Sequence, residues 1–190
     1  MMGDSYLTTP VTFLVDTLIG LYILAVMLRF LLGTVRADFY NPVSQFLVRI
    51  TNPVLLPLRR MLPSVGRLDS ASLVLMLGLQ MADLALIALL RGASLSLLTI
   101  FILAVAELVG LLLNVFLFAI FIQVILSWIS PGTYNPVASI LYSLTEPVLR
   151  PCRRLLPPIG GMDLSPLIAL LGIQVLKMLL LPPLHHLAGG

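Results

Sequence analysis

Four stretches of the chain are long and mostly apolar. They cover about residues 11–34, 71–90, 105–128 and 165–181. Each is near the 20 or so residues that carry a helix across a hydrocarbon core of about 30 Å, at 1.5 Å per residue. Between the first and second stretch, and again between the third and fourth, the pattern changes. Val43, Phe46, Leu47 and Ile50 recur at i, i+3, i+4 and i+7, and Val137, Ile140, Leu141 and Leu144 do the same. That spacing predicts an amphipathic helix of about three turns, too short to span and suited to lie at the headgroups. Pro53 and Pro147 are expected to start a second segment, and Pro57, Pro63, Pro151 and Pro157 to prevent a long regular helix there. One run is ambiguous. Residues 94–128 are mostly apolar, interrupted chiefly by Glu107, Asn114 and Gln123. This is long for one span and short for two.

An internal repeat resolves the ambiguity. Residues 41–83 align without gaps on residues 135–177, with 19 of 43 positions identical. Both copies run in the same direction, so this is a direct duplication. The offset of 94 carries helix 11–34 onto 105–128, leaving 93–104 as a connector or a short helix on the outer surface. The expected organisation is therefore a first repeat at 1–92, with an interfacial loop at 40–66, and a second at 105–190, with its loop at 134–160. The fold class is all-α: four transmembrane helices from two direct repeats, each a spanning helix, an amphipathic interfacial segment and a second spanning helix.

Charge placement sets the expected orientation. The chain is 59% hydrophobic and 10% charged, far below the charge of an ordinary soluble domain. Eight of its eleven basic residues are arginines in the two repeated loops: Arg36, Arg49, Arg59, Arg60, Arg67, Arg150, Arg153 and Arg154. Basic loops stay in the cytoplasm. Four spans put both loops there and both termini outside. The N-terminus lacks a positive leader region and an Ala-x-Ala site, so residues 11–34 read as a retained helix. The lone Cys152 reads as an apolar filler.

The loop itself carries a motif: N-P-x(9)-[NE]-P-V-L-x-P-x-R-R-x-L-P, then G-x-x-D and a helix with a glycine and a glutamine, in both halves. With Arg29 and the L-S-W-I at Leu126–Ile129, these residues resemble the YggT family of small membrane proteins of bacteria and plastids. The likeness covers nearly all of the chain up to about Pro183. Gln123 departs from it, standing where the first half has Arg29. The resemblance implies an inner-membrane protein without an established biochemical activity. It also implies a link to osmotic or ion stress, to cell division, or, for plastid relatives, to maturation of a cytochrome complex.

Candidate functional residues fall into three groups. Arg59, Arg60, Arg153, Arg154, Arg49 and Arg150 are candidates for contact with anionic headgroups or a protein partner, because guanidinium suits bidentate phosphate contact. Internal pairing of the arginines with Asp69 and Asp163 is the competing reading. Asp83, Lys177, Gln80, Gln174, Asp16 and Glu107 lie within spans, where ionisable groups are costly. Asp83 and Lys177 occupy equivalent positions with opposite charge, and are expected to pair or to join one polar cluster if a two-fold axis relates the repeats. As interhelical glue, each such contact is worth about 0.6–2 kcal/mol. Arg29 is expected to snorkel. Asn41, Pro42, Asn135, Pro136, Asp69 and Asp163 read as helix caps and first-turn residues. His185 and His186 are expected in a solvated tail.

The chain has no phosphate-binding glycine loop, no H-E-x-x-H, no G-x-S-x-G and no histidine before His185. No enzyme, cofactor or metal site is expected. The paired Asn-Pro-Val resembles the Asn-Pro-Ala of water channels, but those sit in inverted repeats. The favoured reading is a membrane scaffold or assembly factor binding anionic lipid, a membrane-protein partner or both, with a homo-oligomer as a further expectation and no nucleic acid. The rival is a small ion- or solute-handling protein using Asp83, Lys177, Asp16 and Glu107.

Overall fold

A computed structural model of the chain describes residues 3–64, 68–129, 135–155 and 163–189. It contains six helices: α1 (Gly3–Thr34), α2 (Pro42–Met61), α3 (Ser70–Leu90), α4 (Leu97–Ile129), α5 (Pro136–Leu155) and α6 (Ser165–Gly189). Helices α1, α3, α4 and α6 are long and apolar enough to cross a membrane. The protein is thus an all-α, multi-pass membrane protein of four long apolar helices and two amphipathic ones.

Three elements differ from the sequence expectation. First, α2 and α5 do not break into two segments: each runs for 20 residues through two internal prolines. Pro53, Pro57, Pro147 and Pro151 are all exposed. Spaced four apart, the two prolines of each helix lie on one outward face. The carbonyls they leave unbonded can there be met by water or headgroups, so the helix continues. Second, residues 97–104 are the first two turns of α4 and not a separate connector or surface helix. Gly92, at φ +66°, ends α3, with Ala93 N–H donating to the Ala88 carbonyl at 2.9 Å. Ser96 Oγ then accepts from Thr99 N–H at 3.0 Å and starts the next helix. A helix of 33 residues is about 50 Å long, so α4 tilts or projects beyond the apolar core. Third, α6 continues through Pro182 and Pro183 to Gly189. His185 and His186 are exposed on this last helical stretch, not in an irregular tail.

Within each repeat the first spanning helix packs against the second, α1 on α3 and α4 on α6, and the amphipathic helix lies against both. A larger core joins Ile23 and Val26 of α1, Leu55 of α2, Met76 of α3, and Leu144 of α5. A smaller one joins Leu113 and Ile120 of α4, Leu149 of α5, and Ile173 of α6. The repeats meet along α3 and α4. Among the described residues α1 and α6 do not touch, and neither do α3 and α6. A two-fold axis would demand an α6–α1 contact to match α3–α4, so the relation between the repeats is open.

The amphipathic helices share one end of the bundle. Asn41 caps α2 by accepting from Val43 N–H at 3.0 Å and donates its amide to the Pro136 carbonyl at the start of α5, at 2.7 Å. Asn135 caps α5 through Val137 N–H at 2.9 Å. Leu55 is wholly buried where α2 faces the bundle. Leu55→Ala is therefore expected to cost about 2–5 kcal/mol, whereas Pro57→Ala on the outward face leaves stability near that of the parent. Unfolding in mixed detergent micelles, followed by circular dichroism, measures both.

Candidate functional site

The site is the amphipathic helix of each repeat with the two elements that hold it. The first hold is a polar tether from the spanning helix. Arg29, near the end of α1, donates to Thr51 Oγ1 at 2.5 Å and to the Val48 carbonyl at 3.4 Å. Thr51 in turn donates to the Leu47 carbonyl at 2.6 Å. In the second repeat Gln123 occupies the place of Arg29, and its side-chain amide meets the hydroxyl of Thr145. The same hydroxyl lies 2.8 Å from the Leu141 carbonyl and shares its one hydrogen between that oxygen and Gln123 Oε1. Arg29 thus does not simply reach for the headgroups; it fastens α2 to α1. Both threonines are wholly buried. Their identity at equivalent positions of the two repeats is the sequence signal of this tether.

The second hold is ionic. Arg59 Nε donates to Asp69 Oδ2 at 3.1 Å, and Arg153 Nε donates to Asp163 Oδ2 at 3.0 Å. Each pair ties the end of an amphipathic helix to the start of the spanning helix that follows. In the second repeat Arg153 also donates to Glu146 at 2.8 Å, where the first repeat has Asn52. The first arginine of each Arg-Arg pair is therefore engaged internally. Arg60 and Arg154, with Arg49 and Arg150, are exposed. No ion pair engages these four among the described residues. Arg49, Pro53, Pro57 and Arg60 fall on one outward face of α2, and Pro147, Arg150, Pro151 and Arg154 on that of α5.

The caps separate. Asp163 accepts from Ser165 N–H at 2.9 Å, as a cap should. Asp69 does not cap α3 with its side chain; its carboxylate takes Arg59 and the Ser72 hydroxyl, the latter at 2.6 Å. Burial pushes the Asp69 carboxyl up, but the hydrogen bonds from Arg59 and Ser72 outweigh it and hold the group below the usual carboxylate range. Asp163 is likewise pushed up by burial and brought below that range by Ser165 and then Arg153. A cleft of about 630 Å³ opens between the end of α1, α2 and the following loop, with Arg29, Arg59 and Asp69 among its walls.

The intramembrane residues do not form one cluster, and Asp83 and Lys177 do not pair. Asp83 is buried and faces Asp16 of α1, and its Oδ1 has no hydrogen-bond partner among the described residues. Lys177 donates to Asn114 Oδ1 of α4 at 2.7 Å. The physical reason is that position 83/177 faces the first helix of its own repeat. Helix α4 packs against both α3 and α6, which do not meet each other. Glu107 and Gln174 are exposed, and Gln80 is half-buried. The described residues hold no group of three or more His, Cys, Asp or Glu side chains that could bind a metal.

Two outcomes follow from the holds. Arg29→Gln should keep folded yield, since the second repeat already uses glutamine there. Arg29→Leu, which leaves the Thr51 hydroxyl without its α1 partner, should lower stability by about 1–3 kcal/mol in detergent unfolding. Because Asp69 and Asp163 titrate below their unfolded values, their contribution is present above about pH 4 and is lost as pH falls through the folded values. Thermal unfolding from pH 6 downward should show an acid limb that is weaker in Asp69→Asn/Asp163→Asn.

Residues 8–90 and 102–184 each match the CCB3/YggT family. An uncharacterised protein of Pseudomonas aeruginosa is 45% identical over 185 residues, 96% of this chain and 94% of its own length. An uncharacterised protein of Vibrio alginolyticus, in the region 3′ of proC, is 41% identical over 172 residues, 89% and 92% of the two chains. The uncharacterised protein YggT of Escherichia coli K12 is 39% identical over 168 residues, 88% and 87% of the two chains. No solved structure matches. With both halves matched and these relatives aligned over nearly their whole lengths, the chain belongs to the CCB3/YggT family of membrane proteins.

Proposed function

We propose that the protein is a non-enzymatic scaffold or assembly factor of the bacterial inner membrane. Helices α2 and α5 lie in the cytoplasmic leaflet, and both termini are outside. Their outward arginines hold anionic headgroups and, through them or beside them, a membrane-protein partner. The observation that carries this reading is the division of labour in each Arg-Arg pair. Arg59 and Arg153 bond Asp69 and Asp163, while Arg60 and Arg154, beside Arg49 and Arg150, stay exposed. Orientation by the positive-inside rule alone asks for charge in the loop. It does not ask for the same split in both repeats. Exposed prolines on the same faces leave carbonyls open to polar surroundings, which suits a helix lying among headgroups. The family's associations with osmotic stress, cell division or membrane-complex assembly fit such a role.

A second reading rests on a different observation. The carboxyls of Asp16 and Asp83 face each other between α1 and α3, with an unpartnered oxygen on Asp83. That is the arrangement expected of a proton or cation site in a small transport protein. Flux in proteoliposomes that vanishes in Asp83→Asn would favour it over the scaffold.

Arginine near a charged leaflet contributes about 1 kcal/mol. Adding phosphatidylglycerol or cardiolipin to protein in zwitterionic nanodiscs should therefore raise its unfolding temperature. In the variant with Arg49, Arg60, Arg150 and Arg154 all changed to Gln the rise should largely disappear, with folded yield retained. An unchanged rise in that variant would remove the headgroup reading. A C-terminal tag accessible from the cytosol would remove the orientation.

A further inference from the structure

The two repeats meet chiefly along α3 and α4, with smaller contacts of α1 with α4 and α5 and of α2 with α5, and among the described residues the α3–α4 seam has no second copy. Helix α3 has the neighbours α1 and α2 of its own repeat, and also α4. Among the described residues its counterpart α6 packs on α4 and α5 alone, both of its own repeat. Helix α4 packs on the first repeat, while α1 has no α3-type helix on its other flank. An open relation between like units leaves half a seam at each end, and half-seams of this kind meet head to tail between copies.

The 94-residue offset allows the two free faces to be read position by position. On α4 the stripe packed against the first repeat includes Leu108, Leu112 and Val115. Val115 is 7% exposed. The α1 counterparts are Leu14, Leu18 and Leu21, exposed by 57%, 67% and 58%. On α3, Met76 and Ala88 are buried and Gln80 and Leu84 half-buried. Their α6 counterparts are more open: Leu170 is half-buried, Gln174, Met178 and Pro182 are exposed, and so is Leu171 beside them. Both half-seams are thus preserved in character and uncovered.

Lipid can cover leucine and methionine, but not Gln174. This amide is exposed in the middle of an apolar span and makes no side-chain hydrogen bond with the described residues. Acyl chains offer it no partner, whereas a neighbouring helix can. Helices α3 and α4 are antiparallel and joined by a short turn, so seam residues at one depth have numbers that sum to about 188, at equal rise per residue. The same register across an α6–α1 seam sets Gln174 opposite Leu14, with the hydroxyl of Thr17 one turn away.

We propose that the protein assembles head to tail with further copies of itself, α6 of one copy docking on α1 of the next in a repeat of the α3–α4 seam. The proposal does not depend on the headgroup reading. Confined to the membrane plane, such contacts give a ring or a row. Copies bearing Leu18→Cys and Leu171→Cys together, in a Cys152→Ser background, test it. Both positions are exposed, so folding is not at stake. Mild oxidation in native membranes should yield a ladder of dimers, trimers and larger species from the double variant, and no dimer from either single variant. Double-variant chains that stay monomeric would overturn the proposal. So would single variants that dimerise as readily as the double variant, since that is the mark of a two-fold contact. Native mass spectrometry of the unmodified chain extracted with its lipids gives a second reading: several copies support the seam, and a monomer alone defeats it.

Discussion

The structure rests on keeping a polar, proline-containing helix against an apolar bundle without letting it sink or float away. Hydrophobic burial does most of this, through Leu47 and Leu55 in the first repeat and Leu144 and Leu149 in the second. Apolar contact is non-directional, however, and in a membrane the lipid tails compete for it. Direction comes from a buried threonine in each helix, met by a polar side chain from the first spanning helix. That contact fixes the rotation of α2 and α5 about their own axes. The rotation decides which arginines face outward.

The ionic tie at the other end of the same helices works with this tether. Exposed ion pairs contribute only about 0–1 kcal/mol, so Arg59–Asp69 and Arg153–Asp163 are poor candidates for holding the fold together. Their geometry is more informative than their strength. By joining the helix end to the next spanning helix, they set the path of the chain. Among the described residues they also leave the second arginine of each pair with no acidic partner. One residue of the pair is structural and its neighbour is available.

Much of the architecture was legible from the chain alone. The long apolar stretches, the period of the amphipathic segments and the 94-residue repeat each reflect a local constraint: a helix must be apolar on the side it shows to hydrocarbon. Asn41 and Asn135 were readable as caps for the same reason, because capping involves only a few consecutive residues. The extent of helix was less legible. Proline in mid-sequence normally stops a helix, and whether it does depends on which face it occupies, which is set by packing. Helix α4 began eight residues early because Ser96 and Gly92 place the turn, a signal outweighed in the sequence by the repeat offset.

Residue types and spacings determined by themselves that this chain crosses a membrane four times as two like-directed units, because hydrophobic length and period act within one segment. They determined that basic residues cluster on the two repeated loops. Only the tertiary structure decided which polar groups meet. Asp83 faces Asp16, and Lys177 reaches Asn114, because α4 is the shared neighbour of α3 and α6 and the repeats are not closed by a two-fold axis. Partnership between side chains far apart in sequence depends on the arrangement of whole helices, and no local pattern encodes that.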